Sequence, residues 1–157
     1  MTAAAGSPGP PDPPGLNLTR LRDFLHQAVP GLVHGPLSGS VIEGGRSNLT
    51  YVVSAGGSSW VVRRPPLGHV LATAHDMARE FRVIHALAPT PVPVPRTYAY
   101  CPDPDVIGVP FYVMEKVPGL VYRTAEQSAR LGPQRAAGLA RDLVDVLADL
   151  HDLDPDA

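Results

Sequence analysis

The chain has a single cysteine, Cys101, among its 157 residues. That excludes an internal disulfide and fits a reducing, cytoplasmic compartment. No apolar run approaches the roughly 18 residues that a membrane-spanning helix requires. There is no excess of one charge either, with 13 Lys and Arg against 15 Asp and Glu. Nucleic acid and anionic membranes are therefore not expected as partners, since both would favour a basic face. The first fifteen residues lack the basic and apolar segments of a secretory signal. His26, His34, His69, His75 and His85 show no ligand spacing with one another or with Cys101, so no metal site is expected.

Proline, by contrast, is abundant: 19 residues gathered in a few places, which mark the organisation of the chain. Gly6 to Gly15 reads GSPGPPDPPG and cannot bury apolar surface, so residues 1–15 are expected to form a disordered tail. Asn17 follows as a helix N-cap, with Leu18, Leu21, Phe24 and Leu25 on one face until Pro30 and Gly31 end the helix.

From Leu37 to Arg64 the pattern becomes that of strands. Val41-Ile42, Leu49 to Val53 and Trp60-Val61-Val62 are rich in β-branched and aromatic residues, and Ala55-Gly56-Gly57-Ser58 is a hairpin signal. Pro65-Pro66 and Gly68 break the sheet. A helix is predicted over Ala74 to Leu87, burying Met77, Phe81, Ile84 and Leu87 or Ala88. Pro89 to Pro95 is too proline-dense for helix or central strand. Two strands, Thr97 to Cys101 and Pro110 to Val117, flank the turn-rich Pro102 to Asp105. A last helix runs from Pro133 to Leu153, with a stripe of Leu139, Leu143, Val146, Leu147 and Leu150. The expected fold is α+β: a five-stranded antiparallel sheet with one inserted helix, flanked by an N-terminal and a C-terminal helix.

Three places could carry chemistry. Glu43 to Tyr51 brings glycines to a strand-to-strand turn, where backbone N–H groups can approach phosphate oxygens, with Ser47, Asn48 and Thr50 as further donors. Its spacing fits neither a Walker A loop nor a Rossmann fingerprint. Arg63 ends a strongly β segment and Glu80 lies in the next helix, as in kinases that hold a cation over nucleotide phosphates. Phe111 to Gly119 is an apolar strand running into an extended segment cut by Pro118-Gly119, which is the form of a linker that reads adenine through its backbone. Each feature alone has an ordinary structural explanation: a turn, a surface ion pair, a strand end.

Taken in order, the strings GGRSNLTY, WVVRRPPLG, AREFRVIHAL, PVPVPRTYAYCPDPDVIGVPFYVMEKVPG and LADLHDLDPDA resemble the aminoglycoside phosphotransferase and choline kinase-like family, in the branch of kinase-like domains fused to acyl-CoA dehydrogenases. The resemblance implies a protein-kinase-like N-lobe over residues 16–118, then a linker and the first helix of an incomplete C-lobe over 119–157. It implies that Gly44, Gly45, Arg46, Ser47, Asn48 and Thr50 cover phosphates, and that Arg63 stands where most kinases have Lys, with Glu80 as its partner. It also implies that Met114 is a gatekeeper, and that the backbones of Glu115 and Val117 contact adenine. The cofactor implied for the full-length enzyme is ATP or GTP with Mg²⁺, and the partner a small-molecule hydroxyl acceptor, either an aminoglycoside or a hydroxyacyl metabolite.

The family's catalytic and metal-binding residues are expected beyond residue 157, so nucleotide binding without turnover is expected of this chain. Its alternatives are a non-catalytic nucleotide-binding or interaction module and an inactive gene fragment. His151-Asp152-Leu153-Asp154 is read as a helix end, and Asp142, Asp145, Asp149 and Asp152 as a solvated face. The leucine stripe is expected to face water, each side chain forfeiting about 1.5–3 kcal/mol of burial. Marginal stability or self-association through that face follows.

Overall fold

The computed structural model describes residues 11–42, 48–68 and 76–154. Its elements are α1 (Leu18–Ala28), β1 (Ser38–Val41), β2 (Leu49–Ala55), β3 (Ser58–Arg64), α2 (Met77–Leu87), β4 (Thr97–Cys101), α3 (Pro104–Ile107), β5 (Phe111–Glu115), α4 (Ala125–Ala129) and α5 (Pro133–His151). The five strands form one antiparallel sheet in the spatial order β1-β2-β3-β5-β4. The expected α+β architecture, a five-stranded antiparallel sheet with an inserted helix, is the one observed.

The β2–β3 hairpin sets the register. Gly56 and Gly57 both take positive φ, 55° and 82°, which suits a two-residue turn whose twist matches the strands. Pairing then runs from Ala55 opposite Ser58 to Leu49 opposite Arg64. Because side chains alternate, Tyr51, Val53 and Ala55 share a face with Trp60 and Val62, and β5 adds Phe111 and Val113. This is the core face.

Helix α1 covers it. Asn17 accepts a hydrogen bond from the Arg20 N–H at 2.9 Å, and the three-and-four spacing turns Leu18, Leu21 and Leu25 inward, where all three are buried. Phe24 meets Phe111 edge-on, ring centroids 5.4 Å apart. Helix α2 lies over β4 and β5. Its Asp76 cap accepts from the Arg79 N–H at 2.9 Å. Met77 is fully buried, but Phe81, Ile84 and Leu87 are only half-buried, less than the periodicity predicted. A helix over one end of the sheet leaves its outer flank open. Residues 74 and 75 of the predicted helix lie outside the described residues.

Two short helices were not anticipated. In α3, Asp103 caps Asp105 N–H at 2.9 Å, and Gly108 closes the turn at φ 90°. In α4, Thr124 accepts from the Gln127 N–H at 3.2 Å. The stretch expected to be disordered to Gly15 also needs correcting at its end. Pro14 C=O accepts from the Tyr51 hydroxyl at 2.7 Å, Gly15 C=O accepts from Arg64, and Asp12 accepts from the Leu18 N–H at 3.3 Å. Proline-rich backbone keeps its carbonyls free for such donors, so residues 11–15 are tied to the sheet without burying much of their own.

Helix α5 has no buried residue. Leu139, Leu143, Leu147 and Leu150 are exposed and Val146 is half-buried. Its end lies near α2, where Leu150 and Leu153 line a cavity of about 540 Å³ with Val83, Ala86 and Leu87. Among the described residues, no helix is long and apolar enough to cross a membrane.

Candidate functional site

The alternation that sends Trp60, Val62 and Arg64 to the core face sends Val61 and Arg63 to the α2 face. Register places Thr50 and Tyr112 on either side of Arg63. Glu80 reaches the same spot from α2, one turn after the Asp76 cap that starts the helix.

The four side chains and Asn48 form one network. Arg63 Nε donates to Glu80 Oε2 at 2.8 Å, and Arg63 Nη1 donates to Thr50 Oγ1 at 3.2 Å. Tyr112 Oη donates to the same Glu80 Oε2 at 3.1 Å, while Asn48 Nδ2 donates to Oε1 at 2.8 Å. An isolated ion pair at a half-exposed site is worth about 0–1 kcal/mol. Here Thr50, Asn48 and Tyr112 hold both partners, so the geometry is fixed by more than the pair itself. Burial pushes the Tyr112 hydroxyl well above its ordinary 10.0, and the Glu80 charge pushes it further. It therefore stays protonated and remains a donor at neutral pH.

Beside the network is an apolar row. Val52 lies opposite Val61, and Val61 opposite Met114. Between α2 and the strands β3 and β5 is a cavity of about 460 Å³, lined by Arg63, Glu80, Val83, Ile84, Tyr112 and, from the row, Met114. Past Met114, the Glu115 N–H is bonded to Arg96 C=O at 2.8 Å and the Glu115 carboxylate accepts from Arg96 N–H at 3.1 Å. Val117 follows in exposed chain.

Of the predicted site residues, the structure brings Asn48, Thr50, Arg63 and Glu80 together, with Met114 next to them and Glu115 at the strand end. Gly44, Gly45, Arg46 and Ser47 lie outside the described residues. Asn48, expected as a donor to phosphate, donates to Glu80, and Thr50, expected likewise, accepts from Arg63. Sequence reasoning missed Tyr112, Val52 and Val61. For Val52 and Val61 the signal is strand parity counted from the Gly56-Gly57 turn, which puts them on the face of Arg63; Tyr112 is placed there only by the pairing of β5 with β3.

Arg64 makes the opposite choice. It is 5% exposed and donates to the carbonyls of Gly15, Ile107 and Pro65. Desolvation lowers its pKa, and the nearby Tyr51 partly offsets this. Its role is to tie the end of β3 to α3 and to the N-terminal segment. Among the described residues, no three His, Cys, Asp or Glu side chains come together as metal ligands.

The model of the family described as phosphotransferase enzyme family (APH) matches residues 38–157, a span that holds every strand and α2 to α5. The chain belongs to this family. Family membership makes it part of a kinase-type phosphotransferase lineage. The chain is also similar to a chain from Ralstonia eutropha, provisionally named an aminoglycoside phosphotransferase, with a TM-score of 0.71 and 34% identity over 88% of this chain and 39% of that one. It is 35% identical over 137 residues to mouse acyl-CoA dehydrogenase family member 10, covering 85% of this chain and 13% of the relative. It is 39% identical over 109 residues to human acyl-CoA dehydrogenase family member 11, covering 69% and 14%. A third relative, probable acyl-CoA dehydrogenase IBR3 of Arabidopsis thaliana, is 38% identical over 118 residues, covering 72% and 14%. The phosphotransferase family and the dehydrogenase-linked branch expected from the motifs are thus the ones found. The chain spans less than a fifth of the length of these curated relatives.

Proposed function

We propose that this chain supplies the nucleotide-binding lobe of a cytoplasmic small-molecule kinase, with ATP, or GTP, and Mg²⁺ as the phosphoryl donor and a hydroxyl group of a small metabolite as the acceptor. The observation that carries the reading is Arg63, fixed by Glu80 on the α2 face of the sheet beside the apolar row of Val52, Val61 and Met114. In this reading residues 16–118 are the nucleotide lobe, and 119–157 the linker and first helix of a second lobe.

The residues present fit a nucleotide in two respects. Val52 and Met114, half-buried on either side of buried Val61, offer apolar contact for a purine, and Arg63 offers a cation on the same face. Arg63 Nη2 has no hydrogen-bond partner among the described residues, which leaves an edge of the guanidinium for an anionic oxygen. When bound, the nucleotide with its metal supplies the transferable phosphoryl group; this chain's part is to hold and orient it. Arg63 neutralises phosphate charge, and Glu80 keeps the guanidinium in place. The backbone of Glu115 and Val117 is the proposed adenine contact, and residues 44–50 the proposed phosphate cover. Relatives named for acyl-CoA dehydrogenases favour a hydroxyacyl metabolite as acceptor, and the structural neighbour's name favours an aminoglycoside.

Titrating Mg·ATP into the folded chain tests the reading. Ligand that binds only the native state stabilises by about 2.7 kcal/mol at a hundredfold excess over Kd, so the melting temperature should climb with nucleotide concentration. No shift at millimolar nucleotide, from a chain shown to be folded, would sink the proposal.

A further inference from the structure

Glu80 accepts more hydrogen bonds than the proposed function requires. Arg63 explains one of them. The Tyr112 hydroxyl on Oε2 at 3.1 Å and the Asn48 amide on Oε1 at 2.8 Å remain to be explained. A lysine ammonium at position 63 would donate in any direction, so the attitude of its partner would matter little. A guanidinium is planar and its donors are directional. Which edge meets the carboxylate therefore decides which edge is left over. In this structure Glu80 takes Nε and Thr50 takes Nη1. That arrangement holds only while the carboxylate keeps its rotation.

Tyr112 is suited to keep it. The side chain is 1% exposed, pairs directly across the sheet with Arg63, and has the Phe81 ring 6.2 Å away, edge-on. Its hydroxyl is thus carried on a rigid ring with little freedom. We propose that Tyr112 is a positioning residue: by fixing the Glu80 carboxylate, it makes Arg63 engage through Nε and present its Nη2 edge to an anionic ligand before the ligand arrives. Asn48 secures the other oxygen, and turning the carboxylate would break both contacts. The anionic ligand, a nucleoside triphosphate, rests on the nucleotide-lobe reading. The positioning of Arg63 does not.

The test uses Tyr112→Phe, which keeps the ring and removes only the hydroxyl. The Arg63 Nε–H resonance, identified by its loss in Arg63→Lys, is followed for exchange with water. Losing one hydrogen bond to Glu80 should speed that exchange about three- to tenfold. Unchanged exchange overturns the proposal. In parallel, calorimetry compares ATP with adenosine: Tyr112→Phe should weaken ATP by a similar factor and leave adenosine unaffected, whereas equal losses for both would mean a general packing defect and overturn it. In a Glu80→Ala background, where no acceptor remains at that position, Tyr112→Phe should add nothing further. The same loss in both backgrounds also refutes a role through Glu80. If the native chain binds neither compound, the nucleotide reading fails, and the exchange of Arg63 Nε–H still decides whether Tyr112 positions it.

Discussion

Helices α1 and α5 are both amphipathic, and the chain treats them differently. The leucines of α1 at 18, 21 and 25 are buried against the sheet. Those of α5 at 139, 143, 147 and 150 are exposed, with Leu143 at 64%. The same periodicity thus yields a packed face in one place and an open one in the other. A repeat at three and four residues tells which side of a helix wants to leave water; whether a partner waits there depends on the rest of the fold. For α1 the partner is the core face of β2, β3 and β5. Among the described residues, α5 meets short α4 at one end and lines a cavity with α2 at the other, around Leu150 and Leu153, and neither buries its stripe.

The contrast is broken most severely from the packed side. Phe111→Ala empties a site that is fully buried beneath Phe24, and should cost about 3–5 kcal/mol in urea denaturation. Leu143→Ala on α5 should change the same measurement by less than about 0.5 kcal/mol. Equal costs would mean that α5 is as well packed as α1. We propose that the open face of α5 drives self-association, so Leu143→Asp should lower the sedimentation-derived mass at high concentration while Phe111→Ala should not.

Arg63 and Arg64 sharpen the comparison at the scale of adjacent residues. Arg64→Met strands carbonyls of Gly15, Ile107 and Pro65 that it now satisfies, and should lower stability by about 2–3 kcal/mol. Arg63→Met should cost about 1 kcal/mol or less, yet abolish the stabilisation by Mg·ATP. If the two costs are reversed, the assignment of one arginine to structure and the other to the ligand is wrong.

Alkaline pH gives the most selective effect. Tyr51 and Tyr112 both have pKa values raised above 10.0, chiefly by burial. The stability they contribute is fully present below about pH 10, where the unfolded tyrosines begin to ionise, and is lost as pH rises through the folded values. The loss should reach at most about 1.4 kcal/mol per pH unit for each ring. Thermal melts across this range should decline less steeply in Tyr112→Phe, while substitutions on α5 should leave the decline unchanged.

Much of this was legible in the sequence. The β-branched runs, the Gly56-Gly57 turn and the Asn17 cap are local signals, and each element they predict is present. The pairing of Arg63 with Glu80 came from the family resemblance, since adjacent elements alone fit a surface ion pair as well, and the two meet at 2.8 Å. What escaped notice was non-local or short. Tyr112 in an apolar strand reads as core, and only register reveals that its hydroxyl meets α2. That Asn48 and Thr50 meet Glu80 and Arg63 is non-local as well, because nothing beside them in the chain shows that either lies within reach. Helices α3 and α4 span one turn each, too little for a period, and Pro-Asp-Pro-Asp fits a turn as well as a capped helix start. The packing of Pro14 and Gly15 depends on Tyr51 and Arg64, more than thirty residues away.

The consecutive arginines have one more consequence. Chemically they are the same letter written twice, and only parity tells them apart. A residue removed from or added to the Gly56-Gly57 turn would shift β3 by one place against β2. Arg64 would then be carried toward the ligand face and Arg63 into the interior, while the composition of the strand stayed the same. The hairpin therefore acts as the reading frame of the site, and a change of loop length there would rewrite the site without altering any of its residues.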